Sequence, residues 1–275
     1  MKAYIIKYPV TGFIILTFFI SLVIGLPLKL FVLNGVFTGS EIGLSYLSKI
    51  LVVSGPGIAA LVVTGVTSGS AAVAKLLGKL KPDSKHIIWW LGLPFAGIAI
   101  TTAAFVIGGF TFKQFVVMLT AASPFLLLLH FLCALFLIGF GEELGWRGWL
   151  LRKLATGKPI GRAMLLVFIT WALWHLPMFF TSYKVAIPFV IIVFALSVIF
   201  TRLWYHVDGN LFVLALAHAS VDFPEAFFEA RIGEGHTPEI LNAWTVMAGI
   251  YLAIAAVVYF SDKRWWDKVL IEVAE

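Results

Sequence analysis

Apolar segments long enough to cross a membrane recur along this chain and constrain its fold more than any other feature. A helix needs about 20 mostly apolar residues to span the hydrocarbon core of a bilayer. Eight such segments cover residues 8–33, 42–66, 87–108, 116 onwards, 161–180, 185–205, 211–230 and 241–260. The pattern predicts an all-α polytopic membrane protein with about eight transmembrane helices.

Composition supports the membrane class. Of the 275 residues, 61% are hydrophobic and 12% are charged, and the mean hydropathy is +1.01. A soluble domain is about 45–50% apolar and about 25% charged, so this chain has too few charges to cover a water-facing surface. The 25 Phe and 10 Trp argue against a disordered chain. The single cysteine, Cys133, excludes an internal disulfide and a multi-cysteine zinc site.

The positions of the basic residues indicate how the spans are oriented. With eight spans both termini lie on one side, and that side then holds 15 of the 20 Lys and Arg residues. Because basic residues gather on the cytoplasmic side, we expect both termini to be cytoplasmic. The net charge of +6 therefore indicates orientation in a lipid bilayer, and no basic run interleaved with aromatic residues points to nucleic acid.

The organisation of the chain is simple. No internal repeat or linker divides it, so we expect a single domain over residues 1–275. The first apolar segment has no clear small-residue cleavage site after it, and we therefore expect a retained anchor rather than a signal peptide.

Ionisable residues inside the predicted spans mark candidate functional positions, because a charge at membrane depth costs at least about 2.5–3.5 kcal/mol and is usually paired. The fourth span runs directly into Glu142, Glu143 and Arg147. Glu143 and Arg147 are four residues apart on a helix, so we expect them to pair and Glu142 to stay free for chemistry. The alternative is that the span ends at Phe140 and the motif lies on a solvated cytoplasmic helix.

Two later spans contain further polar residues. His175 lies late in the fifth span, where a single histidine is also often a hydrogen-bonded packing residue. His218 and Asp222 are four residues apart in the seventh span and share a helix face. Either Asp222 orients the imidazole, or both side chains address one ligand, or the pair holds helices together.

Counting residues predicts that these side chains meet in one buried polar site. If the chain turns near Gly157, Glu142 lies 15 residues before the turn and His175 lies 18 after it. Antiparallel neighbours would then hold the two side chains within about 5 Å in depth. His218 and Asp222 follow the turn before the seventh span by nine and 13 residues, which is somewhat shallower but within reach.

In this order, the three segments resemble the motifs of the CPBP family of intramembrane proteases, also called Abi or CAAX-protease-like. The family includes Rce1-type CAAX prenyl endopeptidases. The matching residues are Glu142, Glu143 and Arg147 for Glu-Glu-x-x-x-Arg, Trp171 and His175 for Phe-x-x-x-His, and His218 and Asp222 for His-x-x-x-Asn/Asp. Tryptophan replaces the phenylalanine of the second motif. The resemblance covers about residues 140–222, the expected core of the protease domain.

The resemblance implies hydrolysis of a peptide bond within the membrane, with a peptide or a prenylated protein as the substrate. By analogy, Glu142 and His175 hold and activate the attacking water. Glu142 acts as the general base and then returns the proton to the leaving amine. Trp171 and Trp146 are expected to contact the substrate.

The remaining motif residues have supporting roles by the same analogy. Glu143 and Arg147 pair and fix the helix. His218 and the residue at position 222 stabilise the oxyanion. An ionised Asp222 cannot donate a hydrogen bond, so we expect it to orient and charge His218.

No cofactor is expected, although zinc is the alternative. The two Glu, two His and one Asp could hold zinc, and the family has been described as metalloproteases. The His-Glu-x-x-His helix of many zinc proteases is absent. Two other functions stay open: a non-proteolytic bacteriocin-immunity or scaffold member of the family, and a proton-coupled transporter. Transporters commonly show internal repeats and broken spans, and this sequence shows neither.

Overall fold

The computed structural model describes residues 2–31, 41–120, 123–181, 183–232 and 238–269, and these residues are almost entirely helical. The principal helices are α1 (Pro9–Leu30), α2 (Glu41–Gly78), α3 (Ile87–Gly108), α4 (Pro124–Ala155), α5 (Ile160–Trp174), α6 (Tyr183–His206), α7 (Leu211–Ile232) and α8 (Pro238–Ser261). Short helices cover Lys2–Lys7, Ser84–His86, Phe112–Thr120, Leu176–Thr181 and Lys263–Asp267.

The lengths of the helices fit a membrane protein. In the described ranges, six helices are long and apolar enough to cross a bilayer, namely α1, α2, α3, α4, α6 and α8. Helices α5 and α7 contribute the shorter apolar stretches Ile160–Trp174 and Leu211–Pro224. The predicted class, an all-α polytopic membrane protein, is confirmed.

One predicted helix start is wrong. Helix α4 begins at Pro124 rather than near Val116, because Ser123 is extended (φ −62°, ψ 133°), as the residue before a proline prefers. Helix α2 was expected to end near residue 66, and its first segment does end close to that point. The backbone is not helical at Gly69, where φ is 82° and ψ is −179°, a conformation that glycine adopts without a steric penalty, and a second helical segment then runs to Gly78.

Glycines let α4 pack closely against two neighbouring helices. A Cβ atom on Gly139 would lie 2.6 Å from the Ala215 carbonyl oxygen of α7. A Cβ atom on Gly145 would lie 2.6 Å from the Pro56 carbonyl oxygen of α2. Small residues at helix–helix contacts are the usual means of close packing in membranes. The approach places the middle of α4 at the centre of the bundle.

Several connections meet at one end of the bundle. The Leu211 backbone N–H donates to the Lys79 carbonyl (2.8 Å), which joins the α2–α3 and α6–α7 connections. The Ile160 N–H donates to the Lys268 carbonyl (2.8 Å), which joins the α4–α5 turn to the segment after α8. The rings of Tyr205 and Trp265 lie 5.2 Å apart and link the two groups. Many of the basic residues expected on one side therefore share one end, while the cytoplasmic location of that end stays a prediction.

Candidate active site

The first motif lies inside the bundle. Glu142 is 3% exposed, and Glu143 and Arg147 are 0% exposed. Helix α4 continues through the motif to Ala155, so the alternative of a solvated helix after Phe140 is excluded. Two stretches of α4 are π-helical, with hydrogen bonds between residues five apart: Ala134–Gly139 precedes the motif, and Trp146–Leu151 contains Arg147. Such wide turns often occur at functional sites.

Glu143 joins the first motif to the third. Its Oε1 atom accepts a hydrogen bond from Arg147 Nη1 at 2.8 Å, which confirms the expected pair. The same oxygen lies 2.7 Å from Nδ1 of His218. The Arg147 guanidinium lies 4.4 Å from the ring centroid of Trp171 and 5.0 Å from that of Phe200. A fully buried charge is thus held by an acid and two aromatic faces.

Glu142 does not join the Glu143–Arg147 pair, as expected, but it is held by two indole groups. Its Oε2 atom accepts hydrogen bonds from Trp171 Nε1 at 2.8 Å and from Trp146 Nε1 at 3.1 Å. Trp146 lies one turn later on the same helix, whereas Trp171 belongs to α5. Neither indole occupies the second carboxylate oxygen, Oε1. Both indole N–H groups therefore bind the same carboxylate oxygen, Oε2, and neither binds Oε1.

His175 lies where α5 ends, not within a continuous span as expected. The helix stops at Trp174, and Pro177 then lacks the N–H that a continuing helix would need. His175 Nδ1 is 2.9 Å from the Trp171 carbonyl oxygen. A carbonyl only accepts, so the hydrogen of a neutral ring is on Nδ1 and the lone pair is on Nε2. That nitrogen is then able to accept a proton.

The third motif forms the more open side of the cluster. His218 Nε2 lies 3.5 Å from Asp222 Oδ2, in addition to the Glu143 contact at Nδ1. The His218 side chain is 5% exposed, whereas that of Asp222 is 30% exposed. The expectation that Asp222 orients His218 agrees with this geometry, although Glu143 makes the shorter contact.

Trp171 is the point at which the three segments meet. Its indole binds Glu142, and its ring centroid lies 5.6 Å from that of His218 and 6.1 Å from that of His175. The predicted convergence of three spans on one buried site is therefore confirmed. The catalytic roles of the individual residues stay predictions.

The predicted substrate contacts of two tryptophans are not apparent in this arrangement. Trp146 is fully buried and Trp171 nearly so, and both direct their N–H groups to Glu142. Their assignment to substrate binding stays a prediction. In the structure, the partner of both indole N–H groups is Glu142.

Sequence reasoning missed two aromatic neighbours of the site. The ring centroid of Phe200 of α6 lies 5.0 Å from the Arg147 guanidinium and 6.0 Å from the imidazole centroid of His218. Phe189 of α6 lies 4.7 Å from the ring of His175. Both occur in continuous apolar sequence, where no spacing distinguishes a residue that contacts the site from one that faces lipid.

The residues of the cluster do not fit a metal ion in this arrangement. Among the described residues, no three His, Cys, Asp or Glu side chains converge as metal ligands. One Glu142 oxygen binds two indole N–H groups, and one Glu143 oxygen contacts Arg147 and His218. Zinc ligation would require these donors to move away.

Comparisons with known proteins agree with the motif assignment. Residues 124–224 match a family model described as type II CAAX prenyl endopeptidase Rce1-like. A curated relative named CAAX prenyl protease 2, from Methanococcus maripaludis, is 38% identical over 92 residues. This match covers 34% of the present chain and 29% of the relative, so less than a third of the relative's length is matched. Residues 124–224, which run from the start of α4 into α7, are thus similar to the Rce1-like type II CAAX prenyl endopeptidases.

Proposed function

We propose that the chain is an intramembrane endopeptidase that hydrolyses a peptide bond near the C-terminus of a membrane-associated substrate. The candidate substrates are prenylated proteins or peptides that end in a CAAX sequence. The observation that carries the proposal is that Glu142 and His175 both contact Trp171. Glu142 of α4 accepts from the Trp171 indole N–H, and His175, at the end of α5, contacts the Trp171 backbone carbonyl.

In the first step, a water molecule bound between Glu142 and His175 attacks the scissile carbonyl carbon. Glu142 takes a proton from the water as the new carbon–oxygen bond forms. His175 orients the water through Nε2, because its Nδ1 hydrogen is directed to the Trp171 carbonyl. The buried surroundings support this role, since few other water molecules compete inside the bundle.

The tetrahedral intermediate carries a negative oxygen, and protonated His218 of the third motif donates to it. An imidazolium with hydrogens on both nitrogens donates to Glu143 at Nδ1 and presents the other hydrogen on the side of Asp222. Donors aimed at an oxyanion commonly contribute about 10²–10³ in rate. Glu142 then returns its proton to the leaving amine as the carbon–nitrogen bond breaks, which regenerates the carboxylate.

Glu143 and Arg147 act in this scheme by holding His218. Their buried pair fixes the position of Nδ1, and the two aromatic rings fix the guanidinium. No step passes through a metal ion. The proposal also places both termini and the shared basic end of the bundle on the cytoplasmic side.

The test is cleavage of a farnesylated CAAX peptide by the purified protein in detergent. Release of the C-terminal tripeptide is measured by mass spectrometry for wild type, Glu142→Gln and Asp208→Asn. Asp208 is an exposed acid in the α6–α7 turn and is the matched control. We expect cleavage by wild type and by the control variant, and none by Glu142→Gln.

A parallel experiment with a strong chelator distinguishes a metal-free mechanism from a zinc-dependent one. Cleavage that survives chelation supports the metal-free mechanism, whereas loss that zinc restores would contradict it. If wild type releases no tripeptide, the prenyl-peptide assignment fails. An immunity or scaffold role, in which Glu142→Gln stays functional in cells, or proton-coupled transport would then be the next hypothesis to test.

A further inference from the structure

The two indoles on Glu142 suggest a role that neither substrate contact nor core packing describes. Both N–H groups converge on the single atom Oε2, at 2.8 Å from Trp171 and 3.1 Å from Trp146. Hydrogen bonds to an ionised acceptor are the stronger class, and burial strengthens them further. A carboxylate held by two donors from two helices can neither rotate nor move along the site without losing one of them.

Each indole is itself fixed by its neighbours. The Trp171 ring lies under the Arg147 guanidinium at 4.4 Å and beside the His218 ring at 5.6 Å. The Trp146 ring lies 6.0 Å from Phe13 of α1 and 5.9 Å from Trp174. Since both rings are buried and packed on several sides, the two N–H groups are held in place before any substrate binds.

We propose that Trp171 and Trp146 are positioning residues that clamp Oε2 of Glu142, so that Oε1 is the oxygen that takes the proton from the attacking water. The inference rests on the proposed function of Glu142 as the base. The phenylalanine of the resembled motif has no N–H group, so the donor from α5 is a feature of this sequence. Trp171 therefore keeps an aromatic ring at this position and adds a hydrogen bond to the proposed base, Glu142.

The decisive variants are Trp171→Phe and Trp146→Phe, which remove the N–H group and retain an aromatic ring. Trp266→Phe is the matched control. Trp266 follows α8 at the end of the bundle, is also buried among aromatic rings, and has no hydrogen-bond partner for its Nε1 among the described residues. A loss caused only by placing a smaller ring in the core would therefore appear in the control as well.

The kinetic readout separates positioning from substrate binding. For Trp171→Phe we expect kcat to fall by about 10-fold to 100-fold with KM nearly unchanged, because one hydrogen bond to a charged group is lost. The kcat of Trp146→Phe is expected to fall by a smaller factor, and Trp266→Phe is expected to retain the wild-type kcat. An equal fall in kcat for Trp171→Phe and Trp266→Phe would overturn the proposal, as would a rise in KM alone.

A second readout does not depend on cleavage. The ultraviolet resonance Raman band of tryptophan that reports indole hydrogen bonding is compared by difference between wild type and each variant. We expect the signal lost in Trp171→Phe to be that of a hydrogen-bonded indole, and the signal lost in Trp266→Phe to be that of an indole without a hydrogen bond. The reverse result overturns the clamp. An inactive wild type with the expected bands overturns the proposed function and supports the hold on Glu142.

Discussion

His218 Nδ1 lies 2.7 Å from Oε1 of Glu143, and this contact makes the first and third motifs one structural unit. The same oxygen also accepts from Arg147 at 2.8 Å. One carboxylate therefore balances a buried guanidinium and aligns an imidazole 75 residues away in the sequence. Loss of Glu143 would leave Arg147 buried without its acid and His218 without its orienting partner.

The buried pair is expected to be strongly coupled. Arg147→Met alone and Glu143→Leu alone should each lower the free energy of unfolding by about 3–5 kcal/mol, because each leaves an unpaired buried charge. The double variant should cost clearly less than the sum of the two single changes. Unfolding in detergent by a denaturant titration measures the three values.

The control for this cycle is the exposed pair of Lys85 and Asp208, whose atoms lie 3.2 Å apart. Lys85→Met is expected to leave the unfolding midpoint unchanged, because exposed pairs are well solvated. Additive costs for Glu143 and Arg147 would contradict the buried coupling.

His175 is expected to be needed for turnover rather than for folding. His175→Ala should lower kcat by about 10²–10⁴, the range for a positioned acid–base group. His206→Ala is the comparison, since this exposed histidine lies at the end of α6. Both variants should elute as wild type does in size-exclusion chromatography. Full activity of purified His175→Ala would remove this residue from the mechanism.

The two residues of the third motif should respond differently to substitution. His218→Ala should reduce kcat by about 10²–10³, as expected for the loss of an oxyanion donor. Asp222→Asn should be tolerated within about 10-fold, because the amide keeps the shape of the side chain and can itself donate. Rates for the two variants at saturating farnesylated peptide give the comparison. Equal losses would show that the charge of Asp222 is required to keep His218 protonated.

Much of the site could be anticipated from spacing. The four-residue interval between Glu143 and Arg147 predicts their pair, and residue counts from the turn at Gly157 predict that Glu142 and His175 lie at similar depth, where both contact Trp171. The partner of each Glu142 oxygen could not be anticipated, because it depends on the rotation of α5 against α4. Phe200 was missed for the same reason, since an apolar helix carries no periodic signal that marks one face.

For the fold, the positions of the helices could be predicted from the sequence, but some of their limits could not. Apolar run lengths predicted where the eight helices occur, because membrane thickness determines the length of a span. The start of α4 at Pro124 and the end of α5 at Trp174 were predicted wrongly, since both depend on local backbone conformation rather than on hydropathy. The short helical segment between the kink at Gly69 and Gly78 likewise gives no sign in the hydropathy.

Close packing of α4 on α2 predicts a sharp difference between two glycines. A Cβ on Gly145 would meet the Pro56 carbonyl oxygen at 2.6 Å, so Gly145→Ala must push the helices apart. A Cβ on Gly249 of α8 would meet no atom of the described residues within 4 Å, so Gly249→Ala should be neutral or slightly stabilising. Thermal unfolding in detergent and peptide cleavage measure both effects. An equal response of the two variants would contradict the close approach.

Orientation in the membrane can be tested with single cysteines in a Cys133→Ser background. Lys263→Cys lies at the end of the bundle where the basic connections meet, and Lys113→Cys lies after α3, at the opposite end. Because basic residues favour the cytoplasmic side, a membrane-impermeant maleimide should label position 263 only in inverted vesicles. It should label position 113 only in right-side-out spheroplasts. The opposite pattern would place both termini outside the cytoplasm, and labelling of both positions from one side would contradict the arrangement of the helices.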